Sequence, residues 1–446
     1  MTDWRNETAA ELGRAIGRGE ADPRDLAEAY LAAIDAHPDR DRIYAIATPE
    51  RARTEAAAAA ERQAEGRRAG PLDGVPISWK DNIDSAGVAT EAGSRLLAGR
   101  VPERDAPVLV RGSAAGLVCL GKTHLSELAF SGLGVNPMTA TPPNALARAR
   151  APGGSSSGAA VSTALGLAAA GIGSDTGGSV RIPACWNGLV GLKTTWGVLP
   201  GDGVVPLAAS LDTVGPLTRT VEDAGLLFAA LLGEPGHALP EPAELSSLSL
   251  TVAETVVLDG CDSAARDAFE AGVERLGQAG VQITRTAVPE IAETFETAST
   301  LSPVVTAEAW SHWGAAIEAQ PGVMFPMIEA RFRSGATVDP DADRRARARF
   351  AEIAAKLADR ITRTGPLVMP SVACLPPLTE ELLADDAFYT ERNLLALRNT
   401  RLVNLLGLSA LTLPLATPMT GLMLVGAPRM EWSLIAAGSA LEPRIR

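Results

Sequence analysis

"GGSSSGAAVSTALGLAAAGIGSDTGGSVR", residues 153–181, carries two glycine/serine clusters joined by a run of small residues. Each cluster, Gly153 to Ala160 and Gly173 to Arg181, abuts an ordered apolar segment. A flexible linker would not be bracketed in this way. The run from residue 155 to 170 predicts a helix of small side chains, able to pack tightly against other backbone. Ser179 stands behind two glycines, where a nucleophile could have its neighbouring N–H groups turned toward an incoming oxygen. Only four histidines occur, His37, His124, His237 and His312. Nothing sets one of them beside Ser179 with an acid behind it, so a Ser-His-Asp triad has no support.

Outward from this stretch, strands and helices alternate. Apolar spacing of three and four predicts helices over residues 8–37, broken near Asp22-Pro23, and an alanine-rich helix ends at Gly70-Pro71. A short strand runs from Val75 to Trp79 and ends at Lys80-Asp81-Asn82. Downstream, "LSLTVAETVVL", "SAARDAFEAGVERLGQAG" and "VQITRTAV" read as strand, helix and strand, a β-α-β unit. "PLVMP", "SALTLP" and "TGLMLVG" read as further strands, with helices around "TERNLLALRNTRLVNLLG" and from Met430. No Gly/Ser linker or internal repeat interrupts the pattern. It predicts one α/β domain over residues 1–446, with a central twisted mixed sheet covered by helices on both faces. Within it, residues 1–69 supply N-terminal helices, 70–230 the core, and 231–446 substrate-side helices and the remaining strands.

"GLVCLGKT", Gly116 to Thr123, matches a phosphate-loop pattern in letters. Its apolar Leu117 to Leu120 suits a buried strand, not a loop curled around phosphates. "GIGSDTGG" lacks the glycine spacing of a dinucleotide fingerprint. Of 446 residues, 46% are hydrophobic and 21% charged, with a formal net charge of −13. That balance argues against an unaided nucleic-acid surface. Cys119, Cys185, Cys261 and Cys374 are scattered, which argues against disulfides and a zinc site. No apolar run reaches the ~18–20 residues of a membrane helix, and no basic-then-apolar leader opens the chain. A reduced, cytoplasmic protein is expected.

Residues 153 to 197 closely resemble the signature segment of the amidase signature family. The match extends through "GPLDGVPISWKDNID" and "LGKTHLSELAFSGLGVN" upstream and "LDTVGPLTRTVEDAGLL" downstream. The resemblance implies hydrolysis of a carboxylic amide, or of an ester, anilide or carbamate, with no cofactor and no metal. It makes Ser179 the nucleophile, Ser155 a bridging serine after a cis Gly154–Ser155 bond, and Lys80 the terminal base. An ordinary lysine, with a pKa near ~10.4, is protonated at neutral pH, but burial disfavours the ammonium. Neutral Lys80 would draw a proton from Ser155, which relays one from Ser179. The competing reading of Lys80 is an ion pair with Asp81 or Asp84. Backbone N–H groups of Thr176, Gly177, Gly178 and Ser179 are the candidate oxyanion donors. Asp175 and Arg181 are expected to brace the loop.

Two departures from the family pattern, Trp186-Asn187 and Thr194, leave the three residues untouched. Ala129, Phe130, Ser131 and Gly132 are candidate substrate contacts. Residues 138–153 and 310–335 are expected to line the entrance, with Trp310, Trp313, Phe325, Met327 and Phe332 suggesting an apolar pocket; core packing explains such residues equally well. A small-molecule amide or carbamate is the expected partner, for a monomer or homodimer. A rival role inside the family is the glutaminase subunit of a tRNA-dependent amidotransferase. Ile182 stands where that subunit usually carries glutamine. A rival of another class is an inactive binding module on the same fold.

Overall fold

Strand side chains alternate between two cores. Leu411 and Leu413, Leu422 and Leu424, and Val368 join one apolar cluster, while Ala410, Met423 and Val425, Leu367 and Met369 join another. Period-two alternation with both sets buried means a sheet covered on both faces. The computed structural model describes residues 4–446. Its strands are β1 (Tyr44–Ala47), β2 (Pro76–Lys80), β3 (Val118–Thr123), β4 (Ala170–Asp175), β5 (Val190–Lys193) and β6 (Thr213–Thr218). They continue as β7 (Ser249–Ala253), β8 (Gln282–Thr286), β9 (Leu367–Pro370), β10 (Ser409–Pro414) and β11 (Gly421–Gly426).

All eleven lie in one mixed sheet, in the order β1-β3-β2-β4-β6-β5-β10-β11-β9-β7-β8. The run β3-β2-β4 is parallel, as are β9-β7 and β7-β8, and the other pairs are antiparallel. Strands from all three sequence segments share this sheet. The β-α-β unit is present as β7, helix Ser263–Gln278 and β8. The first helical stretch breaks where expected, into Ala9–Gly17 and Pro23–Ala36, with Asp22 capping the second by accepting from the Arg24 N–H. The phosphate-loop lookalike is buried strand β3. No helix among the described residues is long and apolar enough to cross a membrane.

One expectation changes. The small-residue helix covers only Ser157–Ala164, and the chain then turns into β4. Part of the second glycine/serine cluster is therefore central strand. The reason is close packing: a Cβ at Gly171 would meet the Ala159 carbonyl oxygen at 2.6 Å, and one at Gly173 would meet Ser156 Oγ at 2.5 Å. Glycine, ordinarily poor in strands, is required where the helix presses on the sheet.

Candidate active site

β2 and β4 lie side by side in parallel, with Trp79 opposite Ile172, so their C-terminal ends open together. Lys80 ends β2 with no solvent exposure. Its Nζ donates to Ser155 Oγ at 2.7 Å and to Ser174 Oγ at 2.8 Å. Asn82 Nδ2 also donates to Ser174 Oγ, at 2.9 Å. The ion-pair reading of Lys80 does not hold, because both neighbouring carboxylates are engaged elsewhere. Asp81 takes Lys122 Nζ at 3.1 Å, and Asp84 takes Arg100 at 2.6 and 2.8 Å. Burial pushes the Lys80 pKa down to about 7, against the opposing fields of Asp175 and Asp212.

Ser155 follows a cis peptide bond with Gly154. Its carbonyl accepts from the N–H groups of Ser126 at 3.2 Å and Ser157 at 2.9 Å. The next amide, Ser156 N–H, donates to the Ser179 carbonyl at 3.2 Å, which holds the two serine segments side by side. Ser179 Oγ makes no hydrogen bond among the described residues, and the residue lines a cavity. One link of the expected relay, Lys80 to Ser155, is thus a formed hydrogen bond. The other is a juxtaposition of two serines.

The loop from Asp175 to Arg181 is built around a buried carboxylate. Asp175 accepts from the N–H groups of Gly178 at 2.8 Å and Val180 at 3.0 Å. Arg181 donates to it twice, at 3.1 and 2.9 Å, and Asn404 Nδ2 once at 2.9 Å. These donors hold Asp175 well below the usual carboxylate range despite its burial, with the Arg181 charge the leading favourable influence. The bracing role of Asp175 and Arg181 is therefore visible in the geometry. It also changes the donor set: the Gly178 amide is consumed by Asp175, whereas those of Thr176, Gly177 and Ser179 make no hydrogen bond to the described residues. Gly178 has φ +135°, and a Cβ there would meet Thr400 Oγ1 at 2.1 Å. Its glycine identity serves the loop's shape.

The cavity has a volume of about 470 Å³. Ala129, Phe130 and Ser131 line it as expected, together with Thr176, Gly177 and Ser179. Gly132 does not; its N–H donates to Asn393 Oδ1 at 2.9 Å, and a Cβ would press on Leu397 and Ile182. Trp310 and Trp313 do not either. Trp313 is buried in the apolar cluster that also holds Ala129 and Phe130, with Nε1 donating to the Pro206 carbonyl at 2.8 Å, and Trp310 packs against that cluster. Phe332 is fully buried against Phe130, edge to face at 4.7 Å. Phe325 and Met327 are likewise placed among core residues, and residues 138–153 lie away from the cavity. Of residues 310–335, only Arg331 reaches it. The remaining wall comes from Leu207, from parts of the segment between Phe295 and Thr306, and from Leu397, Arg401 and Leu405.

Several supporting residues escaped the sequence reading: Ser174, Asn82, Asp212, Thr400 and Asn404. Thr176 Oγ1 donates to Asp212 at 2.5 Å, and Thr400 Oγ1 donates to the Gly177 carbonyl at 2.7 Å. Reading residues 170–175 as a strand would have isolated Ser174. In "NTRLVN", polar side chains at 400 and 404 recur on one face of helix Asp386–Leu405.

The amidase family model matches residues 25–434. A 2-amino-5-chloromuconic acid deaminase from Comamonas testosteroni is 36% identical over 405 residues, covering 89% of this chain and 87% of that protein. A glutamyl-tRNA(Gln) amidotransferase subunit from Salinispora arenicola is 36% identical over 305 residues, 65% of this chain and 62% of its own length. A crystal structure of an amidase superposes with a TM-score of 0.87 at 30% identity, covering 99% of this chain and 100% of that one. The sheet, the Ser-Gly loops and these similarities agree: the chain belongs to the amidase signature family, whose members hydrolyse C–N amide bonds.

Proposed function

We propose that this amidase is a free-standing serine hydrolase that cleaves a small carboxylic amide through an acyl-enzyme on Ser179. The observation that carries the reading is Lys80: a fully buried amine bonded to Ser155 and to no carboxylate, with its proton affinity lowered toward neutrality. Neutral Lys80 accepts the Ser155 proton while Ser155 takes that of Ser179, and Ser179 Oγ bonds to the substrate carbonyl carbon. The developing oxyanion lies against the free N–H groups of Thr176, Gly177 and Ser179. Collapse breaks the C–N bond as Ser155 returns a proton to the leaving amine and regains one from Lys80. Water then repeats the sequence on the acyl-enzyme, releasing the acid. The same steps serve an anilide, carbamate or ester.

The amidotransferase-subunit reading is favoured less. Ile182 is fully buried among Leu133, Cys185 and Trp186, so the position that would carry glutamine belongs here to an apolar core. Similarity over 87% of a protein named for a small-molecule reaction, against 62% of the amidotransferase subunit, points the same way. A fluorophosphonate probe followed by peptide mass spectrometry tests the nucleophile: an adduct on Ser179, lost in Ser179→Ala, is expected. An active preparation without that adduct would overturn the assignment. A panel of primary amides, anilides, aryl carbamates and esters then ranks the leaving groups.

A further inference from the structure

The cavity beside Ser179 is walled mostly by apolar side chains, including Phe130, Phe295, Val304 and Leu405, yet two arginines, Arg331 and Arg401, also line it. Arg401 starts against the nucleophile loop; a Cβ built on Gly177 would lie 3.9 Å from its Cβ and Cγ. Among the described residues its side chain makes no hydrogen bond or ion pair, and its Nε is buried without a partner. Arg331 lies over the Phe130 ring, 4.4 Å from its centroid, and donates through Nη1 to the Phe130 carbonyl at 3.1 Å. It too has no carboxylate partner. The arginines elsewhere in the interior differ: Arg181 holds Asp175, and Arg51 holds Asp105 with two bonds of 2.9 Å.

The acids bordering the cavity do not compensate. Asp212 is taken up by Thr176 Oγ1 and the N–H groups of Leu207 and Ala208. Glu296, the carboxylate on the cavity wall, is exposed at the rim. Burial pushes Arg401 down, and burial together with the Arg401 charge pushes Arg331 down to about 10; the delocalised guanidinium nonetheless keeps its proton in proteins. Both arginines are half-buried, and a cation that gives up part of its hydration without meeting an anion is costly, the more so for two in one small cavity. A planar guanidinium is also the group best shaped to grip a carboxylate with paired hydrogen bonds.

We propose that the cavity binds a substrate carboxylate between Arg401 and Arg331, so that the preferred amides carry an acid group, as in the monoamide of a dicarboxylic acid. The acid end anchors on the two arginines, an apolar spacer lies along Phe295, Val304 and Leu405, and the amide carbonyl reaches Ser179. This rests on the reading of Ser179 as the nucleophile, but the binding half can be tested without turnover. Ser179→Ala protein is titrated calorimetrically with the monoamides of malonic, succinic, glutaric and adipic acids and with their methyl esters. At least one acid should bind about tenfold or more tighter than its ester, a ratio expected from a desolvated charge pair. Arg401→Gln in the same background should bring that ratio close to one, Arg401→Lys should restore part of it, and Arg331→Gln should lower it independently.

Equal binding of every acid and ester, or a ratio unchanged in both Gln variants, overturns the proposal. Fluorophosphonate labelling of Ser179 in single Arg401→Gln and Arg331→Gln proteins verifies that the site is assembled. If parent protein hydrolyses neutral amides but shows no acid preference, this inference fails while the proposed function stands. If the acids bind with the stated preference but no amide is cleaved and Ser179 is not labelled, the reverse holds.

Discussion

Two lysines stand at the C-terminal ends of neighbouring strands, and the protein treats them oppositely. Lys80 on β2 and Lys122 on β3 are both without solvent exposure, one register step apart. Lys122 donates to Asp81 at 3.1 Å and to Thr90 Oγ1 at 2.7 Å. Lys80 meets only the oxygens of Ser155 and Ser174. Burial lowers the proton affinity of both, but only Lys122 has a carboxylate in contact to oppose it. A buried charge with a counter-charge is a structural strut. A buried amine among hydroxyls has no counter-charge to hold its proton, which is what the proposed role of Lys80 as base requires.

The contrast can be broken most decisively at Lys80. Lys80→Met should lower kcat/KM by about 10⁴-fold or more, comparable with losing a member of a proton-relay triad, with the unfolding midpoint unchanged or raised. Near-parental turnover would erase the distinction between the two lysines. Asp81→Asn should act on the other member. It leaves the Lys122 charge buried without its anion and should cost about 3–5 kcal/mol in denaturant unfolding, with a far smaller change in kcat of the folded fraction.

A third effect, smaller near neutrality, is the pH dependence. With Lys80 titrating at about 7, kcat/KM should fall about tenfold per pH unit below that value and level off above it. Lys193 is also pushed down to about 7 by burial, but its Nζ is tied to the carbonyls of Thr194 and Leu408, so Lys193→Met should leave the limb in place. The sign for folding follows from the same group. Between pH 7 and about 10 the unfolded chain holds a proton on Lys80 that the folded one lacks, so this site favours folding increasingly as pH rises. The smallest effect should come from replacing both members of the strut. Asp81→Leu with Lys122→Met removes both buried charges and should leave stability within about 1–2 kcal/mol of the parent, as urea titration would show.

The sequence made some of this legible and hid the rest for physical reasons. Ser179 and Ser155 sit in contiguous glycine/serine clusters unusual for a core, which a linear reading singles out. Lys80 in "VPISWKDNID" carries no such mark and takes its expected role, as Ser155 does, only from the family resemblance. The parallel neighbours β2 and β4 could be anticipated only in part, because Gly171 and Gly173 disguise a central strand as a turn. The cavity wall was misread. Trp310 and Trp313 have the size and hydrophobicity of pocket residues, but the same properties bury them in a neighbouring core. Arg331 and Arg401 lie on two helices far apart in sequence, and a charged residue on an amphipathic helix ordinarily reads as solvated surface. Their meaning depends on missing partners, which no linear pattern records.

The five hydrogen bonds converging on Asp175 have a consequence for how the enzyme meets changing conditions. A carboxylate saturated with donors has no lone pair left to offer and no reason to accept a proton until the solution is strongly acidic. The loop that carries Ser179 is therefore shaped by an ion that does not titrate across the working range. On the proposed mechanism shape and reactivity are uncoupled: acidification would silence Lys80 while the frame of Ser179 stays in place, so activity lost to mild acid should return in full when the acid is removed.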